Sequence, residues 1–189
     1  MHFKLKIHFI IFLLIIFGKN IEAQLLKIGF RIEPALLLTE KNNNSDFGLS
    51  PYSLYLTSII TPIENIGLEV RPGYFIGGEY YGGFEFGAFL RYSILGSKYY
   101  IVGGINNHIN SMTGAHNGGS GISKAMLYKA IGIGYQKDSK LGFDLTYYWT
   151  NDKVFAYSNS YETGFITIKT FTKMNGIIKA AFVLSFDIL

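Results

Sequence analysis

GFEFGAFLRYSIL, residues 83 to 95, decides how the chain folds. Phe84, Phe86, Ala88, Leu90, Tyr92 and Ile94 share one parity, and Glu85, Gly87, Phe89, Arg91 and Ser93 the other. Side chains alternate faces along a strand, so the stretch reads as a β-strand with one apolar and one partly charged face. In a water-soluble sheet the apolar face turns into a core and Glu85 and Arg91 meet solvent. In a barrel that spans a membrane those directions are reversed.

Segments of the same alternating kind recur about eight times, at roughly the ten-residue length a tilted strand needs to cross a bilayer. They read as 26–38, 52–60, 66–76, 83–94, 99–109, 125–136, 141–150 and 175–189. The connectors alternate between two kinds. Three are short and rich in turn formers: TPIEN (61–65), LGSK (95–98) and KDSK (137–140). The others are mostly longer and polar: 40–51, 110–124 and 151–173, with the brief GGEYYG (77–82) among them. The Asn42, Asn43, Asn44 run reads as a flexible loop tip. Short turns at one end and long loops at the other are the order of an up-and-down antiparallel transmembrane β-barrel. A soluble lipocalin-like barrel or a β-sandwich would also have about eight strands, so the placement of particular residues has to separate them.

Following the apolar parity round the chain sets Tyr52, Tyr74, Phe84, Tyr147 and Trp149 near one rim, and Tyr92, Tyr99, Tyr135 and Phe186 near the other. Aromatic girdles at two heights suit the two edges of a lipid layer and have no purpose in a soluble core. The opposite parity carries Lys27, Arg31, Glu33, Glu69, Arg71, Glu85, Arg91, Asp144, Lys179 and Asp187, whose charges cancel. In a lumen with room only for side chains, such charges must pair. Gly29, Gly67, Gly73, Gly87, Gly104 and Gly142 on that parity leave space for Arg and Tyr. One strand resists the frame. In AMLYKAIGIGYQ the lipid-facing parity of Leu127, Ile131, Ile133 and Tyr135 includes Lys129, which is expected to snorkel or to sit beside a bulge.

The chain opens MHFKLKIHFIIFLLIIFGKNIEAQ, a basic head, an apolar run too short for a spanning helix and a polar close. It predicts a signal peptide over 1–23, cleaved between Ala23 and Gln24, and one barrel domain over 24–189 in the cell outer membrane. Once the leader is removed the charge is close to balanced, which argues against nucleic acid as a partner despite the basic pI. There is no cysteine, so neither disulfides, a thiol nucleophile nor a thiolate metal site is possible.

At the other end IIKAAFVLSFDIL sets Ile178, Ala180, Phe182, Leu184, Phe186 and Ile188 opposite Lys179, Ser185 and Asp187. This resembles the closing strand of outer-membrane barrels, which commonly ends in an aromatic residue; here Leu189 is last and Phe186 stands three residues earlier. Leader, alternating loops and terminal strand together resemble the small eight-stranded outer-membrane barrels of the OmpA and OmpX kind. The resemblance implies lipid and lipopolysaccharide as surroundings, recognition by the outer-membrane insertion machinery, a structural or surface-interaction role with an unknown ligand at the long loops, and no enzyme activity. Lipid A deacylases share that barrel and carry a His and a Ser two residues apart. In this chain the residue two after His108 is Asn110, and Ser111 falls on the opposite face of a continuous strand. His108 and His116 have no carboxylate cluster nearby in sequence to complete a metal site, and no phosphate loop, nucleophile elbow or dinucleotide fingerprint is present. Neither a catalytic residue nor a cofactor is expected.

Overall fold

The structure, a computed structural model, describes residues 26–114, 118–162 and 166–188. The cleavage position Ala23/Gln24, His116 and Leu189 lie outside the described residues. Twelve strands follow one another: β1 (Leu26–Ile32), β2 (Ala35–Lys41), β3 (Asn44–Ser50), β4 (Leu54–Ile63), β5 (Ile66–Ile76), β6 (Gly82–Ser93), β7 (Tyr99–Asn110), β8 (Gly119–Gly121), β9 (Lys124–Gln136), β10 (Leu141–Trp149), β11 (Val154–Glu162) and β12 (Ile166–Asp187).

Every pairing is antiparallel, and the sheet closes because β1 bonds to β12 as well as to β4. β1 with β2, β3 with β4 and β10 with β11 are each one wall strand broken by a kink, so the wall has eight members. Following the register from Lys27 through Ile59, Glu69, Phe89, Gly104, Ala130, Tyr148 and Ile177 returns to the first strand at Leu37, a stagger of ten residues. With ordinary strand spacing and rise, that stagger tilts eight strands by about 40° and gives a backbone radius of roughly 8 Å. Such a bore is filled by side chains.

Two of the expected long loops are strands. Residues 44–50 pair with β2 around a two-residue turn at Asn42 and Asn43, whose φ angles of 53° and 61° are left-handed. Asparagine tolerates that conformation, so the Asn run is a tight hairpin turn rather than a flexible tip. Residues 154–162 pair with the start of β12 in the same way, and β8, inside the expected 110–124 loop, adds to β11. The strands β3, β2, β12, β11 and β8 therefore form one sheet that rises beyond the barrel at the long-hairpin end.

The kink between β1 and β2 follows from Pro34, and that between β3 and β4 from Pro51; Glu33 and Ser53 exchange backbone bonds of 2.9 and 3.0 Å across it. Pro72 has no N–H, and the β4–β5 ladder passes from Tyr55↔Gly73 to Ser58↔Val70 without pairing Leu56 and Thr57. The β9 ladder is regular on both sides of Lys129, with Ile105 and Trp149 as its partners, so no bulge accommodates that residue.

Candidate functional site

The lumen is filled in two tiers. In the tier toward the short turns, Arg31 from β1 lies wholly buried on the barrel axis. Its Nε donates to Glu33 Oε1 at 2.9 Å, its Nη1 to Glu69 Oε1 at 3.1 Å and its Nη2 to both carboxylate oxygens of Asp144 at 2.9 Å. Those acceptors stand on three different wall strands, so a single guanidinium ties across the bore. Arg71 forks onto Glu69 with bonds of 2.8 and 2.9 Å and lies 4.0 Å over the Phe89 ring. Thr57 and Tyr100 add hydroxyl donors to Glu69 and Asp144. Arg91 stacks 3.8 Å over Tyr100, reaches Gln136 Oε1 at 3.2 Å and forms the floor of an open vestibule of about 490 Å³ at the short-turn end.

One layer further along, Lys179 donates to Glu85 at 2.6 Å and to the Tyr55 hydroxyl at 2.7 Å, and lies 3.8 Å from Glu33. Glu85 also accepts from Tyr55, from Asn106 and from His108 Nδ1, the last at 3.0 Å. A carboxylate can only accept, so His108 carries a proton on Nδ1; among the described residues its buried Nε2 has no partner. Arg31, Arg71, Arg91 and Lys179 thus face Glu33, Glu69, Glu85 and Asp144, four cations against four anions in one connected network. Fully buried charges are tolerable only under such mutual satisfaction.

The tier toward the long hairpins is aromatic. Tyr81, from the brief 77–81 connection, bends into the bore, stacks on His108 at 4.2 Å and donates to the Tyr128 hydroxyl at 2.7 Å. Phe75, Met126, Phe155, Met174 and Ile177 pack round it. Asn110 ties this lid together by accepting from Gly82 N and donating to the carbonyls of Tyr80 and Ile122. Sequence reasoning did not single out Tyr55, Tyr81, Tyr100, Tyr128 or Tyr148. For Tyr55 and Tyr100 the signal was the glycine opposite: a Cβ on Gly73 would collide with the Tyr55 ring, and one on Gly134 with that of Tyr100.

Lys27 and Asp187 stand apart from the network. They bond to each other at 3.1 Å at the short-turn mouth, with Asp187 exposed, because β1 and β12 pair there at the very end of the wall. Neither is a sealed lumen charge.

On the outside, Tyr52, Tyr74, Phe84 and Tyr147 are exposed near the long-hairpin end with Trp149 half-buried among them, and Tyr92, Tyr99 and Phe186 are exposed near the other end beside half-buried Tyr135. Tyr147 stacks on Trp149 at 5.9 Å, and Tyr99 contacts Tyr135 at 5.3 Å. Phe84 and Tyr92 are ends of one β6 face, and the tilt puts the two bands roughly 20 Å apart along the axis. Between them the exposed wall is Ile28, Phe30, Leu56, Leu68, Phe86, Leu90, Ile101, Ile131, Ile133, Leu145, Phe182 and their like. Apolar outside and charged within, the closed sheet inverts the layout of a soluble protein.

The fold is that of a small outer-membrane β-barrel. No protein-family model matches the chain, and no curated protein matches it by sequence. Three solved structures are similar in shape. Neisserial surface protein A (NspA) has 14% identity and a TM-score of 0.49, with 84% of this chain and 97% of that one covered. The outer membrane protein OprG from Pseudomonas aeruginosa has 14% identity and a TM-score of 0.47, covering 88% and 99%. Ail, the attachment invasion locus protein of Yersinia pestis, has 10% identity and a TM-score of 0.45, covering 85% and 98%.

The chemistry of the alternatives is missing at the residues that would carry it. His108 is sealed in the lumen, whereas Ser111 is exposed and bonds to Gly82 O and to the Tyr74 hydroxyl on the other face. The two form no nucleophile–base pair. The interior is a network of ion pairs and rings, unlike the hollow apolar interior of a lipocalin-like carrier. No cluster of three or more metal-ligating side chains occurs among the described residues.

Proposed function

We propose that this chain is exported by its leader, is inserted through its closing strand, and works in a Gram-negative outer membrane as a non-enzymatic, non-conducting barrel that presents its raised sheet to the surroundings. The inversion of the wall carries this reading. Exposing so many large apolar side chains to water would cost about 25 cal/mol per Å², whereas lipid removes that cost. The network around Arg31 supports the absence of an open pore, since its bonds cross the whole bore and exchanging them for ion passage would unpair buried charges.

The raised sheet supports a surface role. β3 pairs only with β2, so its other edge is bare among the described residues, and its Phe47 and Leu49 are 71% and 76% exposed. An unpaired edge flanked by apolar side chains is a surface that other molecules can join. Fractionation with impermeant labelling tests the reading. The protein is expected in the outer-membrane fraction, with a single cysteine at Asn43 labelled on intact cells and one at Ser139 labelled only after lysis. Recovery in the soluble periplasm, or the reverse labelling, contradicts it. Planar-bilayer recording is expected to show no discrete conductance steps.

A further inference from the structure

Among the described residues Lys129 is the one charged side chain on the outer face of the wall from one aromatic band to the other, and it is exposed. Its cross-strand partners are Ile105 on β7 and Trp149 on β10, which puts it at the height of the long-hairpin band. Asn107, whose own partner on β9 is Leu127, stands diagonally beside it and also faces outward. Asp152, beyond the end of β10, pairs with Lys124. The ammonium of Lys129, the amide of Asn107 and the indole N–H of Trp149 therefore lie on three neighbouring strands at one level. None of the three side chains has a hydrogen-bond or ion-pair partner among the described residues.

The geometry points to a site for the phosphate of a membrane lipid in the outer leaflet, formed by Lys129, Asn107 and Trp149. A long lysine reaches from an apolar wall to the polar boundary. There it leaves a point charge beside two neutral donors and no carboxylate, a set that suits an anion with several acceptor oxygens. The acyl chains of the same lipid would lie along Ile105, Ile131 and Ile133, all exposed on the midplane side of the cluster. The lipid chemistry that fits is a phosphorylated glycolipid of the lipid A type. The proposal rests on the outer-membrane reading and deepens its lipid partner.

The test uses the full barrel in neutral detergent, titrated with diphosphoryl lipid A and with the same glycolipid stripped of phosphate, bound lipid being counted by native mass spectrometry. The phosphorylated lipid is expected to bind more tightly, and Lys129→Gln to weaken it by about tenfold, as loss of a charge-assisted contact does, without moving the dephosphorylated lipid. Trp149→Phe, which keeps the ring and removes the donor, is expected to weaken it less, and Lys98→Gln at the opposite end to change nothing. Equal binding of the two lipids, or an unaltered Lys129→Gln, overturns the proposal. Displacement by inorganic phosphate at matched ionic strength overturns the lipid as its source. A barrel that fails to enter bilayers at all contradicts the membrane reading, whereas one that inserts without phosphate preference contradicts this site alone.

Discussion

The two faces of β6 share a backbone and differ in solvent. Phe84, Phe86, Ala88, Leu90 and Tyr92 are exposed, while Glu85, Gly87, Phe89 and Arg91 between them are buried. In the first set tolerance is broad, because any apolar side chain dissolves in lipid and none is fitted to a neighbour. In the second each residue is fixed by particular partners: Glu85 accepts from Lys179, Tyr55, Asn106 and His108, and Gly87 leaves the space that Phe89 occupies. Alternation alone therefore specifies the wall, whereas the lumen needs a whole set of contacts at once.

The largest expected effect falls on the lumen. Arg31→Met leaves Glu33, Glu69 and Asp144 facing one another without their shared cation, and a broken buried pair costs roughly 3–5 kcal/mol. Urea unfolding from lipid vesicles, followed by Trp149 fluorescence, is expected to show that loss, with much of it recovered when Asp144→Leu removes a stranded anion. Leu90→Arg attacks the wall instead and is expected to cost about 2–4 kcal/mol of insertion, against near neutrality for Leu90→Ile. Tyr81→Phe in the aromatic tier keeps the stack on His108 and removes one hydroxyl donor, so a cost of about 1 kcal/mol is expected in the same unfolding measurement.

The smallest effect lies in the water-exposed 137–140 turn. The backbone N–H groups of Leu141 and Lys140 hold the Asp138 carboxyl below its ordinary pKa. A depressed carboxylate stabilises the turn above the unfolded-state pKa, and that contribution is lost as pH falls through the lowered folded value. The protection factors of the Lys140 and Leu141 amides, taken relative to intrinsic exchange at each pH, are expected to fall on acidification, and Asp138→Ala to lower them while the carboxylate is ionised and to change little once it is protonated.

The wall was legible in the sequence because lipid imposes a period of two on long segments such as 83–94 and 99–109. The raised sheet was not. In residues 44–50 the apolar parity holds only Phe47 and Leu49, and in 154–162 the run Ser158, Asn159, Ser160 interrupts both parities, so no alternation long enough to cross a bilayer marks them, and only the paired asparagines hint at a hairpin. In the lumen, residue types were legible and partners were not. Arg31 meets Asp144 across 113 residues of chain, a contact created by closure and stagger rather than by any local pattern. Inward-facing Tyr55 and Tyr100 hid because an aromatic residue on a charged parity looks like strand propensity until the glycine across from it is placed.

The central claim, that lipid meets the apolar face of β6 and the charged face is sealed, is tested most directly by a single-cysteine scan of residues 84–92, for which the chain's lack of cysteine leaves no background. Each site would carry a nitroxide in a lipid bilayer, and its collision rate with dissolved oxygen and with a water-soluble nickel complex would be read. The account predicts high oxygen and low nickel contact at 84, 86, 88, 90 and 92 and immobile, poorly accessible labels at 85, 87, 89 and 91. High nickel contact at the even positions, as on the surface of a soluble sheet, contradicts it.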